Sequence, residues 1–248
     1  MKKVAIYKVL IGEYEYLHDE IFQVTKDSND IYFDYFFLSD KKIDIPAPWN
    51  LIVIDRKFKS PAVENRYYKI QVPNELDIYD YTIYLDTNIS IRKNIGTLMQ
   101  KIISEENYIY AYPHFRNTTI KEEVTNCFIF SRIKYIEMRN AIKFFSDDLN
   151  SFVGFECGVL IRKKQDGVLK TFQETWFDFY VNNVKRDQLY FMLSLKKYGV
   201  DCHKLAGDPL RSETGYFKLH PHREKVNFIK KITIAIKMRL YRYKRSDI

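Results

Sequence analysis

The chain has 248 residues, a length that suits one α/β domain with a sizeable core. Its composition, 46% hydrophobic and 29% charged, is that of a globular protein and argues against a disordered or fibrous chain. The formal net charge of +8 is unevenly placed: residues 221–248 hold nine Lys or Arg against Glu224 and Asp247, so the body is near neutral and offers no basic groove for nucleic acid.

In chain order, residues 4–9 form a short run rich in β-branched residues. They read as a first strand rather than a secretion signal, because Lys8 and Glu13 interrupt the apolar start. Residues 31–38 predict a second strand, ending at Ser39 and Asp40, and residues 51–54 a third. Residues 61–72 predict a helix, with Pro61 in its first turn and Ser60 as its cap. Residues 81–85 predict a fourth strand, apolar enough to be buried on both faces. A helix at 96–103 and a strand at 108–112 follow. The second half is more helical. It carries a strand at 158–161 after a Gly-Phe-Glu-Cys-Gly turn, helices at 169–181 and 187–198, the second stopped by Gly199, and a basic helix at 226–243. No stretch approaches the roughly 18 uninterrupted apolar residues of a membrane span.

Strands alternating with helices predict βαβ units and an α/β fold. In such sheets ligands bind beyond the carboxyl ends of the strands. That rule singles out Gly12 with Tyr14, Ser39 with Asp40, and the stretch from Asp86 to Asn88. Cys127, Cys157 and Cys202 have no CxxC spacing and no even-numbered framework, which points to a reducing compartment. Tyr (20) and Phe (18) are frequent. Aromatic faces stack on sugar C–H groups, but Ile, Lys and Asn are enriched alongside them, so a general compositional bias accounts for most of the excess.

The strongest local signal is Ile83-Tyr84-Leu85-Asp86-Thr87-Asn88-Ile89-Ser90-Ile91. An apolar strand runs directly into Asp-x-Asn and then resumes alternation. A carboxylate at the end of a buried strand needs a partner, and a hard divalent cation bridging two phosphates is one. A metal held by Asp86, with Asn88 as a weaker oxygen ligand, stabilises a departing diphosphate. The plainer reading is a polar turn between two strands, since Asp and Asn both favour turns. Upstream, Arg66 and Lys69 stand three apart on one face of the predicted helix, a basic face that suits a phosphate-bearing ligand or simply water.

Taken in order, these segments resemble the GT-A glycosyltransferases. More narrowly, they resemble a glycosyltransferase-like family, long catalogued as a domain of unknown function, found in plant mucilage-related proteins and bacterial polysaccharide loci. Arg66 and Lys69, followed by the strand that ends in Leu85-Asp86-Thr87-Asn88, carry the likeness. Ala5-Ile6-Tyr7 with Gly12 and Tyr14, Phe36-Phe37-Leu38-Ser39-Asp40, and Arg186-Asp187-Gln188-Leu189-Tyr190-Phe191 extend it over roughly residues 3–200.

The resemblance implies a GT-A, Rossmann-like fold: a mixed, mainly parallel central sheet flanked by helices. It occupies residues 1–222, with a basic amphipathic helix over 223–248. It implies that Tyr7, Gly12 and Tyr14 face a nucleotide, that Asp40 contacts base or ribose, and that Arg66 and Lys69 sit near the donor phosphates or sugar. Asp86 and Asn88 take the metal position, for manganese or magnesium. Asp-x-Asn has one carboxylate fewer than the commoner Asp-x-Asp, which weakens a metal site. Glu156 lies near the reacting sugar, Asp187 and Gln188 bind donor sugar or acceptor hydroxyls, and Glu156 or Asp187 is the catalytic group that acts on the acceptor hydroxyl or positions the sugar. His220 or His222 completes the metal site or meets the diphosphate.

The residues themselves allow other readings. Glu156 suits a general acid or base if buried, or a surface turn if not. Asp187 suits a helix N-cap. His220 and His222 suit a polar linker, and His18, His114 and His203 are isolated and read as structural. The segment that opens at Lys225 and closes at Arg245 mixes isoleucines with cations. Such a helix lies on an anionic membrane surface, packs on the domain, or binds nucleic acid, and the near-neutral body argues against the last. The expectation is a cytoplasmic enzyme, peripheral at the inner membrane face, that takes a nucleotide-sugar donor, in the first place a UDP-sugar, and a polysaccharide or lipid-linked acceptor. A non-catalytic glycan- or nucleotide-binding module, a nucleotidyltransferase and a sugar hydrolase are the competing classes.

Overall fold

The computed structural model describes residues 1–12, 17, 19–28, 30–116, 118–164, 166–221 and 228–245, with side chains described over 231–239 in the last segment. The first half runs β1 (Lys2–Leu10), β2 (Ile31–Ser39), β3 (Trp49–Val53), α1 (Pro61–Ile70), β4 (Tyr81–Leu85), β5 (Ile89–Ile91), α2 (Gly96–Glu105) and β6 (Ile109–Pro113). The second runs α3 (Ile120–Ile129), α4 (Tyr135–Phe144), β7 (Phe155–Lys163), α5 (Gly167–Asn182), α6 (Asp187–Tyr198), β8 (Cys202–Lys204), β9 (Phe217–Leu219) and α7 (Phe228–Arg245).

Seven strands form one sheet in the order β3-β2-β1-β4-β7-β6-β8. The pairs among β1 to β4 are parallel, as is β6 with β8, while β7 runs antiparallel to both its neighbours. The fold is therefore α/β and Rossmann-like, with a mixed, mostly parallel sheet flanked by helices. A separate two-stranded pair, β5 with β9, carries the chain beyond the end of β4.

Alternation along β1 explains the layers. Ala5, Tyr7 and Val9 enter one core with Tyr68 of α1, Phe172 of α5 and Leu189 of α6. Val4, Ile6 and Leu10 enter the other with Leu98, Met99 and Ile102 of α2. Period-two side chains on a strand covered on both faces give this division, and they give the nearly unbroken apolar sequence.

Local chemistry sets the element ends that matter for the site. Ser60 accepts a hydrogen bond from the Val63 amide and Pro61 opens α1, as the sequence predicts. Gly199, at φ +62°, closes α6. The strand expected at 158–161 begins earlier, at Phe155. Phe155 and Cys157 pack in the core, so the predicted turn shrinks to Gly154, at φ +81°, and Glu156 becomes a strand residue.

Candidate active site

The strand order places a topological switch at β1. From β1 the sheet extends through β2 and β3 on one side and through β4 on the other. The crevice outside the carboxyl ends of β1 and β4 is where open α/β sheets take ligands. Gly12 lies just past β1, Asp40 just past β2 and Asp86 just past β4. Gly12, at φ +77°, donates its amide to Asp40 Oδ1 at 3.0 Å, which ties the first two loops together.

Beside this crevice lies a cavity of about 620 Å³. Arg66 and Lys69 of α1 line it, with Asp86 and Asn88 from the β4–β5 turn. Glu156 of β7 and Asp187 and Gln188 of α6 complete the set of sequence-selected residues that meet there. They come from four separate elements.

Lys69 is the hub. Its ammonium lies 2.9 Å from Asp187 Oδ2 and 3.4 Å from Asp86 Oδ1. Burial alone lowers its pKa, but Asp187 and Asp86 outweigh burial and raise it, so the ammonium stays charged. Arg66 Nε adds a second cation, 3.3 Å from Asp187 Oδ2. Burial pushes the Asp187 carboxyl up, yet Lys69, Arg66 and Arg186 together hold it well below the usual carboxylate range. Arg162, itself buried, donates to the Lys69 and Ile70 carbonyls and so fixes the end of α1 that carries Lys69.

Asp86 differs from Asp187 in exposure, with about a third of its side chain open (34%). Its Oδ1 accepts from the Tyr84 hydroxyl at 2.8 Å. Its Oδ2 faces Gly158, where an added Cβ would come within 3.2 Å. Asn88 donates Nδ2 to the His220 carbonyl at 2.8 Å, which leaves its amide oxygen to meet a ligand. Glu156 is buried, with Oε1 accepting from the Phe115 amide and Oε2 from Arg211, each at 3.1 Å. Burial raises its pKa, and Arg211 and the Phe115 amide only partly oppose that.

Several sequence expectations need correction. Tyr7 does not face a nucleotide: it is fully buried in the sheet core, where its hydroxyl meets Arg162 and the carbonyls of Tyr68 and Lys69. Asp187 is not the N-cap of α6. That position is Arg186, and the Asp187 carboxylate turns to Lys69 and Arg66. A carboxyl paired with two cations and held so low is a poor proton acceptor, which argues against Asp187 as a base. His220 reaches Asn88 through its backbone, while its ring turns to Ser90 Oγ at 2.8 Å and towards Glu20. The His220 ring is therefore not a cavity ligand. His114, read as structural, does line the cavity, with Nδ1 3.3 Å from Thr118 Oγ1. Tyr14, His18 and His222 lie outside the described residues. Among the described residues no group of three or more His, Cys, Asp or Glu side chains gathers as a metal cluster.

Three features of the structure go beyond what the sequence indicates. Arg116, Arg132, Arg186 and Arg211 join Arg66 and Lys69 around the cavity. These six cations face four carboxylates, those of Asp86, Glu123, Glu156 and Asp187. Only the fold gathers them, since they are scattered along the chain. Lys8 is fully buried and donates to the carbonyls of Ile89 and Asp86, the latter at 3.4 Å. Its one signal in the sequence is a charge inside an apolar strand. A larger, open groove of about 1230 Å³ lies between α1 and α5, but it collects none of the sequence-selected site residues.

No protein-family model matches the chain, and no curated protein matches it.

Proposed function

We propose that the chain is a glycosyltransferase of the GT-A type. It moves a sugar from a nucleotide-sugar, in the first place a UDP-sugar, to a polysaccharide or lipid-linked glycan acceptor. The observation that carries this reading is the meeting of Asp86, Lys69 and Glu156 on one cavity beside the β1–β4 crevice. A Rossmann-like sheet ending in an Asp-x-Asn whose Asp86 is partly exposed, with a basic helix face next to it, suits a nucleoside diphosphate group.

The surplus of cations around the cavity supports the same ligand. Six Lys or Arg side chains face four carboxylates there, so the lining as a whole keeps positive charge for a leaving diphosphate. The donor set at the turn fits a hard cation: a carboxylate oxygen of Asp86 and the amide oxygen of Asn88, with phosphate and water to fill the remaining positions. Manganese or magnesium bound there supplies charge neutralisation of the leaving group. Glu156 is the residue suited to take a proton from an acceptor hydroxyl, because its environment raises rather than lowers its proton affinity.

The test is a screen of nucleotide-sugars for nucleotide release, with and without acceptor glycans, alongside thermal unfolding with UDP in the presence and absence of Mn²⁺. The reading expects one donor class to be consumed in an acceptor-dependent way and its nucleotide to raise the unfolding temperature. Release of free sugar without acceptor would reassign the chain as a hydrolase. No stabilisation by any nucleoside diphosphate would end the reading.

A further inference from the structure

Helix α7 presents apolar side chains to water where a helix packed on a domain would hide them. Ile232 is 45% exposed, Ile236 55% and Met238 37%. Ile232 and Ile236 stand one turn apart, so they share a face. Lys231, Ala235 and Arg239 are exposed with them. The less exposed residues of the same stretch are Thr233, Ile234 and Lys237. Lys237 fixes the helix to the domain: its ammonium donates to the Phe128 carbonyl at 2.9 Å and to Ser131 Oγ at 3.0 Å, and lies over the Phe128 ring. The face that carries Ile232 and Ile236 is thus left outward by an anchored helix.

Charge selects what covers that face. Residues 221–248 hold nine of the chain's 40 Lys and Arg and only two of its 32 carboxylates. Isoleucines among cations fit a surface that is anionic outside and apolar beneath. No described helix is long and apolar enough to cross a membrane, so the fit is to lying on the surface. We infer that the exposed face of α7 docks on an anionic lipid bilayer. The anchor point adds a consequence. Lys237 is bonded next to α3 and its exit, and Asn126, Phe130 and Arg132 of that same region line the 620 Å³ cavity. The anchor of α7 therefore sits beside the cavity rim.

This inference rests on α7 alone and stands or falls apart from the transferase reading. It is tested with the whole chain by co-sedimentation with phosphatidylcholine vesicles, with and without phosphatidylglycerol, over a range of salt. The expected result is pelleting with the anionic vesicles only, weakened by salt. Ile232→Glu and Ile236→Glu should each reduce the partition about tenfold, and Lys231→Glu with Arg239→Glu should reduce it at low salt and little at high salt. These positions are exposed, so the variants should unfold at the temperature of the parent chain. Failure to pellet with anionic vesicles overturns the inference. So does undiminished binding by the two isoleucine variants. Release from vesicles by an equal charge of duplex DNA, with tight DNA binding that ignores Ile232 and Ile236, would overturn it in favour of nucleic acid.

Discussion

Lys69 and Asp187 form a buried ion pair at 2.9 Å, and Lys69 reaches from it to the partly exposed Asp86 at 3.4 Å. One cation thus links a largely buried carboxylate of the cavity wall to a carboxylate more open to the cavity. Asp187→Asn should leave Lys69 and Arg66 under-compensated and cost about 3 kcal/mol at pH 7. The sign with pH follows from the depressed carboxyl. A carboxyl whose folded pKa is lowered contributes stability above its unfolded pKa, about 4, and loses it as pH falls towards the folded value. The gap between parent and variant, read by urea unfolding, should narrow progressively below pH 4. A gap that stays constant from pH 7 to pH 3 would show that the Asp187 charge is not what Lys69 needs.

Asp86 should behave in the opposite way. It has about a third of its side chain open and shares Lys69 with Asp187, so its loss leaves no buried charge unpaired. Asp86→Ala should lower turnover of the donor about a thousandfold, while the unfolding temperature moves by only a few degrees, about what a change of 1 kcal/mol produces. Steady-state kinetics with thermal unfolding on the same samples separates the two effects. Turnover at the parent rate would remove Asp86 from the mechanism.

Glu156 and Arg211 give a prediction that a structural role does not share. If Glu156 takes the acceptor proton, kcat/KM falls on the acid side as Glu156 becomes protonated, and Glu156→Gln lowers kcat about a hundredfold or more. Arg211 lowers the Glu156 pKa, so removing it raises that pKa further. Arg211→Met should therefore move the acid limb of the pH profile to higher pH while retaining activity at the plateau. An unmoved limb would assign the limb to another group.

Much of this site is legible without the fold. Strand ends, helix faces and short motifs single out Asp86, Asn88, Arg66, Lys69, Glu156, Asp187 and Gln188, and all seven line one cavity. Strand ends are legible because a buried strand is a continuous apolar run, and its first polar residue marks the edge of the core. Side-chain direction is not legible in that way. Tyr7 sits on β1, an interior strand, with the right spacing, but alternation sends it into the core beneath α1. Asp187 stands at a helix start, where capping is the local expectation, and a long-range cation overrides it. The sequence pattern marks neither α3 nor α4, and the roles of His114, Arg116 and Arg132 at the cavity go unmarked with them. Residues so far apart in sequence meet only through tertiary packing.

Lys8 is the clearest case of a local anomaly with a long-range cause, and it yields the last prediction. Its ammonium sits in the core beneath the turn that carries Asp86 and donates to the Asp86 and Ile89 carbonyls. Burial pushes its pKa down to about 7, with Asp86 opposing that only in part. An unfolded lysine titrates near pH 10.4. Between about pH 7 and pH 10 the unfolded chain therefore binds more protons at this residue than the folded one, so its share of the stability rises with pH. Lys8→Met removes that rise. Urea unfolding should show the parent gaining on the variant from pH 7 to pH 9.5, and little change in their difference below pH 6. The variant should also lose turnover at every pH, because the two carbonyls lose their donor and the Asp86 turn loses its support from below. A difference in stability that does not vary with pH would mean that Lys8 keeps an ordinary lysine pKa in its buried place.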